Sequence, residues 1–327
     1  MNKQIKRRRL PSILRWIFWV VLVQLALFNT STALYAWKFS HFYPEVSAPQ
    51  SQTEENVFSK TWRLFGGTRI AKSTIDGYPA YDYDSVILQT KRGLELEGWY
   101  AKPDSNSKGT VILFHGVTIS KSAVLSEASE FRYLGYNVFL VDFRGHGNSD
   151  GFTTTLGVRE SEDVKLAFDY IRSKGEANII LWGSSMGAVA IAKSVSDGGI
   201  KPSSVILEMP FASLKSHLRA RARFSGFSGF PEKPFAFFVT LWMGLESGYN
   251  GFKHRTTTYL KEMTCPVLLQ WGALDAAVLE NENQQVYQSI GSKNKNLVIY
   301  PTAAHESLIS KDPLKWRIEV SRFLAAN

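Results

Sequence analysis

Residues 178–192, Asn178-Ile-Ile-Leu181-Trp-Gly183-Ser184-Ser185-Met186-Gly187-Ala-Val-Ala-Ile-Ala192, decide the fold. A short apolar run, Ile179-Ile180-Leu181, leads into Gly183-Ser184-Ser185-Met186-Gly187. A helical stretch with Ala188, Ala190 and Ala192 follows. In that setting the G-x-S-x-G spacing describes a sharp strand-to-helix turn that pushes its middle serine outward. Glycine is needed two residues to either side because strand and helix backbones come too close for a Cβ. Only Ser185 has glycine at both flanking positions, so Ser184 is not the candidate. An ordinary Gly/Ser turn is the plain alternative, and it requires neither the strand nor the helix.

Working outward, the pattern is regular from about residue 80. Short apolar runs predict strands at 85–89, 94–101, 110–114, 137–141, 178–181, 204–207, 266–270 and 296–300. Helical patterns fall between them at 122–134, 158–173, 186–196, 280–290 and 313–324. In the second of these, Val158, Val164, Leu166, Ala167 and Ile171 give an apolar face, with Glu160, Glu162, Asp163 and Lys165 mostly opposite. Two strands with hairpin character followed by strand–helix alternation predict an α/β domain with a mostly parallel, eight-stranded sheet. The interval between 207 and 266 breaks the alternation. It has no clear strand and holds ten aromatic residues from Phe211 to Phe252. An insertion at this point would form a cap, about 209–262, over the C-terminal edge of the sheet.

A serine hydroxyl is a poor nucleophile and needs a base that is itself held by an acid. His305 follows the last strand, in Tyr300-Pro-Thr-Ala-Ala-His305, where a base can reach back over the sheet edge. The acid should come from the loop after the preceding strand, and Asp275 lies there, in Trp271-Gly272-Ala-Leu-Asp275. Glu280 and Glu282 are possible substitutes. His115 and His146 sit in turn motifs that ordinarily organise loops, His217 and His254 lie in the cap, and His41 is beside the N-terminal apolar segment. The histidine spacings give no metal-ligand pair and no H-E-x-x-H, and no glycine-rich loop precedes a lysine as nucleotide phosphates require. No metal or other cofactor is expected.

These features together resemble the α/β-hydrolase superfamily over about residues 80–327. The match rests on the turn Gly183–Gly187, the order Ser185–Asp275–His305, Phe114-His115-Gly116 after the third strand, and Asp142-Phe-Arg144-Gly-His146-Gly-Asn-Ser149 after the fourth. In detail the chain is similar to the serine hydrolases grouped with bacterial esterases, monoglyceride lipases and serine aminopeptidases. The resemblance implies an oxyanion hole made by the backbone N–H groups of Val117 and Met186, each such donor typically worth about 3 kcal/mol. The His-Gly-Gly-Gly run of some lipases is missing, which counts against bulky tertiary esters.

The net charge of +9 suggests a nucleic-acid partner until it is divided. Residues 1–38 carry +7 with no acidic residue, 211–255 carry +5, and the remainder carries −3. With no basic stripe on the sheet domain and no motif, a nucleic-acid partner is not expected. The first block flanks Trp16–Trp37, 22 residues without a charge. That is about 33 Å of helix, enough to cross a hydrocarbon core of roughly 30 Å. We read residues 1–38 as a single-pass membrane anchor with a cytoplasmic N-terminus and the rest outside the cytoplasm. A cleaved signal peptide ending near Ser31-Thr32-Ala33, with a secreted or periplasmic product, is the alternative. Residues 39–79, polar over 41–62, read as tether and lead-in, and 80–327 as the hydrolase domain. The single Cys265 excludes an intrachain disulfide.

The expected function is a membrane-anchored serine hydrolase acting on carboxylic esters, small or lipid, with apolar acyl groups. Phe211, Phe227, Phe230 and Trp242 of the cap are candidate substrate-binding residues, and the cap is a second candidate for contact with the bilayer. Amidase, aminopeptidase or thioesterase chemistry would use the same residues. A non-catalytic, membrane-tethered binding protein on the same fold is the third possibility.

Overall fold

The computed structural model describes residues 12–44, 66–103, 106–223 and 231–327. All eight expected strands occur: β1 (Asp84–Gln89), β2 (Glu95–Ala101), β3 (Thr110–Phe114), β4 (Asn137–Val141), β5 (Ile179–Ser184), β6 (Ser204–Glu208), β7 (Val267–Gly272) and β8 (Lys295–Tyr300). They form one sheet in the order β8-β7-β6-β5-β3-β4-β2-β1. Strand β2 pairs antiparallel with both β1 and β4, and every pairing from β4 through β8 is parallel.

The burial pattern explains why the strands were readable. β3, β4 and β6 are buried at every residue, as strands covered on both faces must be. The edge strand β1 buries only Val86 and Leu88, two residues apart. Alternate residues feed two cores. Ile112, Phe114, Leu181, Val205, Leu207 and Leu269 pack on one side with helices α3 (Glu160–Ser173) and α4 (Met186–Ser196). Val111, Leu113, Ile180, Trp182, Ile206 and Leu268 pack on the other with α2 (Leu125–Tyr133) and α8 (Pro313–Ala325). A further helix, α7 (Glu280–Ser289), joins β7 to β8.

Two of the charges expected on the solvent face of α3 are buried. Glu160 accepts hydrogen bonds from the hydroxyls of Thr154 and Thr155 (2.7 and 2.6 Å) and the N–H groups of Thr155 and Gly157 (2.8 and 2.9 Å). Asp163 receives Arg144, with Nη2 at 2.6 Å and Nε at 3.0 Å. These partners sit in loops outside the helix, and they compensate a burial that helical periodicity alone cannot foresee.

The interval after β6 is helical, with α5 (Leu214–Arg223) and α6 (Glu232–Ser247). The N-terminal helix α1 (Ser12–Ser40) is exposed along Ile13–Leu27 apart from a half-buried position at Val20, and then one face closes. Thr32, Ala36, Phe39 and Ser40 are buried, at the three- and four-residue spacing of a helical contact stripe. α1 runs antiparallel along α6. Tyr35 meets Phe235 at 4.8 Å between ring centroids, Phe28 meets Phe238 at 5.8 Å, and the indole N–H of Trp242 donates to Asn29 Oδ1 at 3.1 Å.

Of the stretch read as a tether, residues 45–65 lie outside the described residues. On both sides of those residues the chain is attached to the body. Phe42–Tyr43 pairs in parallel with Ile70–Ala71, the Thr154 N–H donates to the Ser40 carbonyl at 2.9 Å, and Phe42 is buried.

Candidate active site

The turn between β5 and α4 has the predicted form. Ser185 adopts φ 51° and ψ −113°, a left-handed strain that the surrounding packing imposes on a non-glycine residue. A Cβ on Gly183 would stand 2.7 Å from the Gly187 carbonyl carbon, and one on Gly187 would fall inside the Phe114 carbonyl oxygen. The Ser185 N–H donates to the Glu208 carbonyl at 2.8 Å. The nucleophile candidate is thus pinned to the end of β6.

His305 and Asp275 come from adjacent loops that are tied together. The Ala273 N–H donates to the Tyr300 carbonyl and the Leu274 N–H to the Ala303 carbonyl, both at 2.9 Å. Gly272 permits this approach: a Cβ there would lie 2.5 Å from the carbonyl oxygens of Ala303 and Ala304. His305 Nε2 lies 3.1 Å from Ser185 Oγ, and His305 Nδ1 lies 2.7 Å from Asp275 Oδ2. The other oxygen of Asp275 accepts the N–H groups of Ala277 and Val278 at 2.7 and 2.8 Å. The carboxylate is therefore fixed in rotation and aimed at the ring. Ser185 and Asp275 are buried, whereas the His305 side chain is one-third exposed (33%). The structure brings these three residues together. Glu282 carries a buried oxygen without a partner, and Glu280 is exposed.

The remaining cap and loop histidines are structural. His115 Nε2 accepts the Phe143 N–H at 3.1 Å, so Nδ1 carries the proton and donates to the Gly116 carbonyl at 2.7 Å. Burial pushes its pKa down to about 4. His254 donates to the Leu156 carbonyl at 2.9 Å and accepts from the Tyr259 hydroxyl at 3.1 Å, and burial brings it to about 4. His146 and His217 are buried and driven to about 3, chiefly by desolvation. None is charged near neutrality.

Gly116 lies against Ser185, so the loop bearing Val117 runs beside the nucleophile candidate while Met186 opens α4. Phe211 is fully buried and packs on His217 at 4.8 Å. Trp242 spends its indole N–H on α1. Phe227 and Phe230 lie outside the described residues. The cap arginines are half-buried: Arg221 covers the Phe39 ring at 4.9 Å, and Arg223 reaches Glu232 at 3.6 Å.

A support that sequence reasoning missed stands behind the turn. Glu208 Oε1 accepts the indole N–H groups of Trp182 (3.1 Å) and Trp316 (2.7 Å) and the Gln270 amide (3.0 Å). It cross-braces β5, β6, β7 and α8 directly under Ser185. Burial, with Glu127 nearby, pushes its carboxyl up to about 8. Glu127 in turn accepts the Ser307 hydroxyl at 2.7 Å, two residues beyond His305. A charged residue ending an apolar strand, with tryptophans in neighbouring elements, was the available signal.

An eight-stranded, mainly parallel sheet with a strained serine turn between β5 and α4 defines an α/β hydrolase, and the chain belongs to that superfamily. The profile of the family described as serine aminopeptidase, S33, matches residues 105–233. The chain is 24% identical to the Bacillus subtilis protein YqkD over 93% of its own length and 96% of that protein's. It is also 24% identical to a lysophosphatidylserine lipase of Xenopus tropicalis, over 62% of this chain and 52% of the lipase. A solved esterase of Pyrococcus furiosus superposes with a TM-score of 0.64 at 25% identity, covering 79% of this chain and 99% of the esterase. The protein is a hydrolase of the esterase/lipase type.

Proposed function

We propose that the protein is a membrane-anchored serine hydrolase that cleaves carboxylic esters with apolar acyl groups through an acyl-enzyme. The observation that carries this is the hydrogen-bonded line from Ser185 Oγ through His305 to Asp275. His305 Nε2 takes the Ser185 proton as Oγ attacks the ester carbonyl carbon. The negative charge that develops on the carbonyl oxygen is met by the N–H groups of Met186 and Val117. The carbon–oxygen bond to the alcohol then breaks, and His305 returns the proton to the leaving alcohol. Water, deprotonated by the same nitrogen, hydrolyses the acyl-enzyme. Asp275 holds the proton on Nδ1 and stabilises the imidazolium between these steps.

Aminopeptidase chemistry is the second reading, favoured by the matching profile. It needs a carboxylate for the substrate amine. The cap's acidic residues are Glu232, occupied with Arg223, Glu246, exposed in the last turn of α6, and Glu262, exposed at the end of the cap. Esters therefore fit better. The apolar stretch of α1 is long enough to cross a membrane, and its close packing on α6 supports an anchor that is retained.

A fluorophosphonate probe tests the nucleophile. The wild-type chain should be labelled and Ser185→Ala should not; equal labelling of both would end the serine-hydrolase reading. A panel of p-nitrophenyl esters of increasing chain length, run beside aminoacyl anilides, tests the substrate. Turnover of anilides alone would replace the ester assignment.

A further inference from the structure

The loop that carries Val117 is held by side chains and not by its own backbone. It leaves β3 at His115 and rejoins regular structure in the short turn Lys121–Val124. Among the described residues, no backbone–backbone hydrogen bond reaches Val117, Thr118 or Ile119. Thr118 adopts φ 65°, a left-handed conformation that crowds a β-branched side chain. Such a conformation persists only where the surroundings over-determine it.

The surroundings here are a strap from the start of the domain, residues 72–76. The Lys72 N–H donates to the Tyr43 carbonyl at 2.8 Å, so the strap begins where Phe42–Tyr43 pairs with Ile70–Ala71. Ser73 Oγ donates to the Ile119 carbonyl at 3.1 Å and accepts the Gly147 N–H at 3.1 Å. Further along, the Thr74 carbonyl accepts from Ser120 Oγ at 2.8 Å, and the Asp76 N–H donates to Ser122 Oγ at 3.1 Å. Asp142 closes the far end of the loop, taking the Lys121 N–H at 2.7 Å and its Nζ at 2.5 Å.

Two of these ties bracket Thr118. The peptide unit that carries the Val117 N–H also carries the Gly116 carbonyl, and His115 Nδ1 holds that carbonyl at 2.7 Å. One hydrogen bond leaves a peptide plane free to turn about it. Ser73 grips the chain on the other side of Thr118 and removes that turn. Small movements matter at this place, since a Cβ on Gly116 would stand 3.6 Å from both Ser185 Cβ and Ile119 Cδ1. A donor that meets a developing oxyanion acts only within a narrow range of distance and direction.

We propose that Ser73 is a positioning residue for ester hydrolysis. Acting through the Ile119 carbonyl, its hydroxyl keeps Thr118 left-handed and the Val117 N–H aimed at the oxyanion. This rests on the reading of Ser185 as nucleophile and Val117 as oxyanion donor. Because the strap starts on the strand pair that directly follows α1, it also ties the oxyanion loop to the end of the N-terminal helix.

The test compares the full wild-type chain in detergent with Ser73→Ala, Ser73→Thr and Thr74→Ala, the last removing a hydroxyl that meets only Asp76. On p-nitrophenyl butyrate, Ser73→Ala should lower kcat about tenfold or more, short of the roughly 10²–10³-fold that follows outright removal of an oxyanion donor, with KM within about twofold. A trifluoromethyl ketone reads the oxyanion directly. Ser185 Oγ adds to its carbonyl carbon, His305 takes the serine proton, and the carbonyl oxygen becomes the oxyanion. Its inhibition constant should rise by the same factor as kcat/KM falls, with the pH profile unmoved. Ser73→Thr keeps the hydroxyl and should restore both, and Thr74→Ala should match wild type. The positioning role is refuted by an unchanged kcat in Ser73→Ala, by a loss of kcat with the ketone unaffected, or by a Ser73→Thr as slow as the alanine. If Ser185→Ala hydrolyses the ester as wild type does, the serine-hydrolase reading falls, and the proposal with it.

Discussion

Replacing Asp275 by asparagine leaves the shape of the acid unchanged and alters what it can accept. In the native site one oxygen takes two backbone N–H groups, from Ala277 and Val278, and the other faces His305 Nδ1 at 2.7 Å. An asparagine must choose. If its NH2 faces the two backbone donors, both lose a buried acceptor, each at about 1–3 kcal/mol. The amide oxygen therefore stays with the backbone, and the NH2 points at His305. The ring must then accept at Nδ1 and carry its proton on Nε2, toward Ser185, where it can no longer take the serine proton. Loss of both the tautomer and the imidazolium's counter-charge should lower kcat about 10⁴-fold, or roughly 5.5 kcal/mol in the barrier. The assay is hydrolysis of p-nitrophenyl butyrate at pH 7–8 with the full chain in detergent, alongside fluorophosphonate labelling rate and thermal melting. The melting temperature should move little, because every native hydrogen bond except the charged one survives. Glu282→Gln serves as comparison and should stay within about threefold of wild type. A loss under tenfold for Asp275→Asn, or a larger loss for Glu282→Gln, would refute the assignment of the acid.

Three further outcomes follow from the packing. Gly187→Ala drives a Cβ into the Phe114 carbonyl and should destabilise the chain by more than about 2 kcal/mol, read as a lower denaturant midpoint. Asn29→Ala leaves the Trp242 indole N–H without its acceptor and should cost about 1 kcal/mol, seen as a lower melting temperature in detergent; an unchanged temperature would show that the α1–α6 contact is not formed there. Four buried histidines have folded pKa values near 3–4, below the ordinary 6.5. The unfolded chain thus binds more protons between those limits, and stability present above pH 6.5 is lost as the pH falls toward 4. His254→Gln should flatten this dependence by up to one proton, about 1.4 kcal/mol per pH unit; an identical slope would contradict a neutral buried His254.

The sheet and the three central site residues were legible because their determinants are local. Strands buried on both faces are apolar throughout, as in Thr110–Phe114, and the serine turn needs its glycines within two residues. His305 and Asp275 could be placed because each follows a recognisable strand. What escaped depends on partners far along the chain. Glu160 and Asp163 fell on the polar side of a helical pattern, yet Thr154, Thr155 and Arg144 make their burial favourable. Glu208 gave no sign of Trp316, 108 residues away. The polar run Asn29–Thr32, which in the sequence is only part of an uncharged span, is in the fold the docking surface for α6. Trp242, expected to face substrate, answers that polarity instead.

That contact has a consequence for biogenesis. Asn29 and Trp242 are 213 residues apart, so α1 leaves the ribosome long before its partner exists. At roughly 5–20 residues per second, synthesis of the intervening chain takes on the order of 10–40 s. Throughout that interval the Asn29 carboxamide lacks its indole, and the Ser31-Thr32-Ala33 stretch is uncovered. Once α6 docks, Thr32 is fully buried. On the reading of α1 as an anchor, its retention becomes a race between peptide-bond cleavage and the arrival of the cap, set by translation speed as well as by the apolarity of the helix.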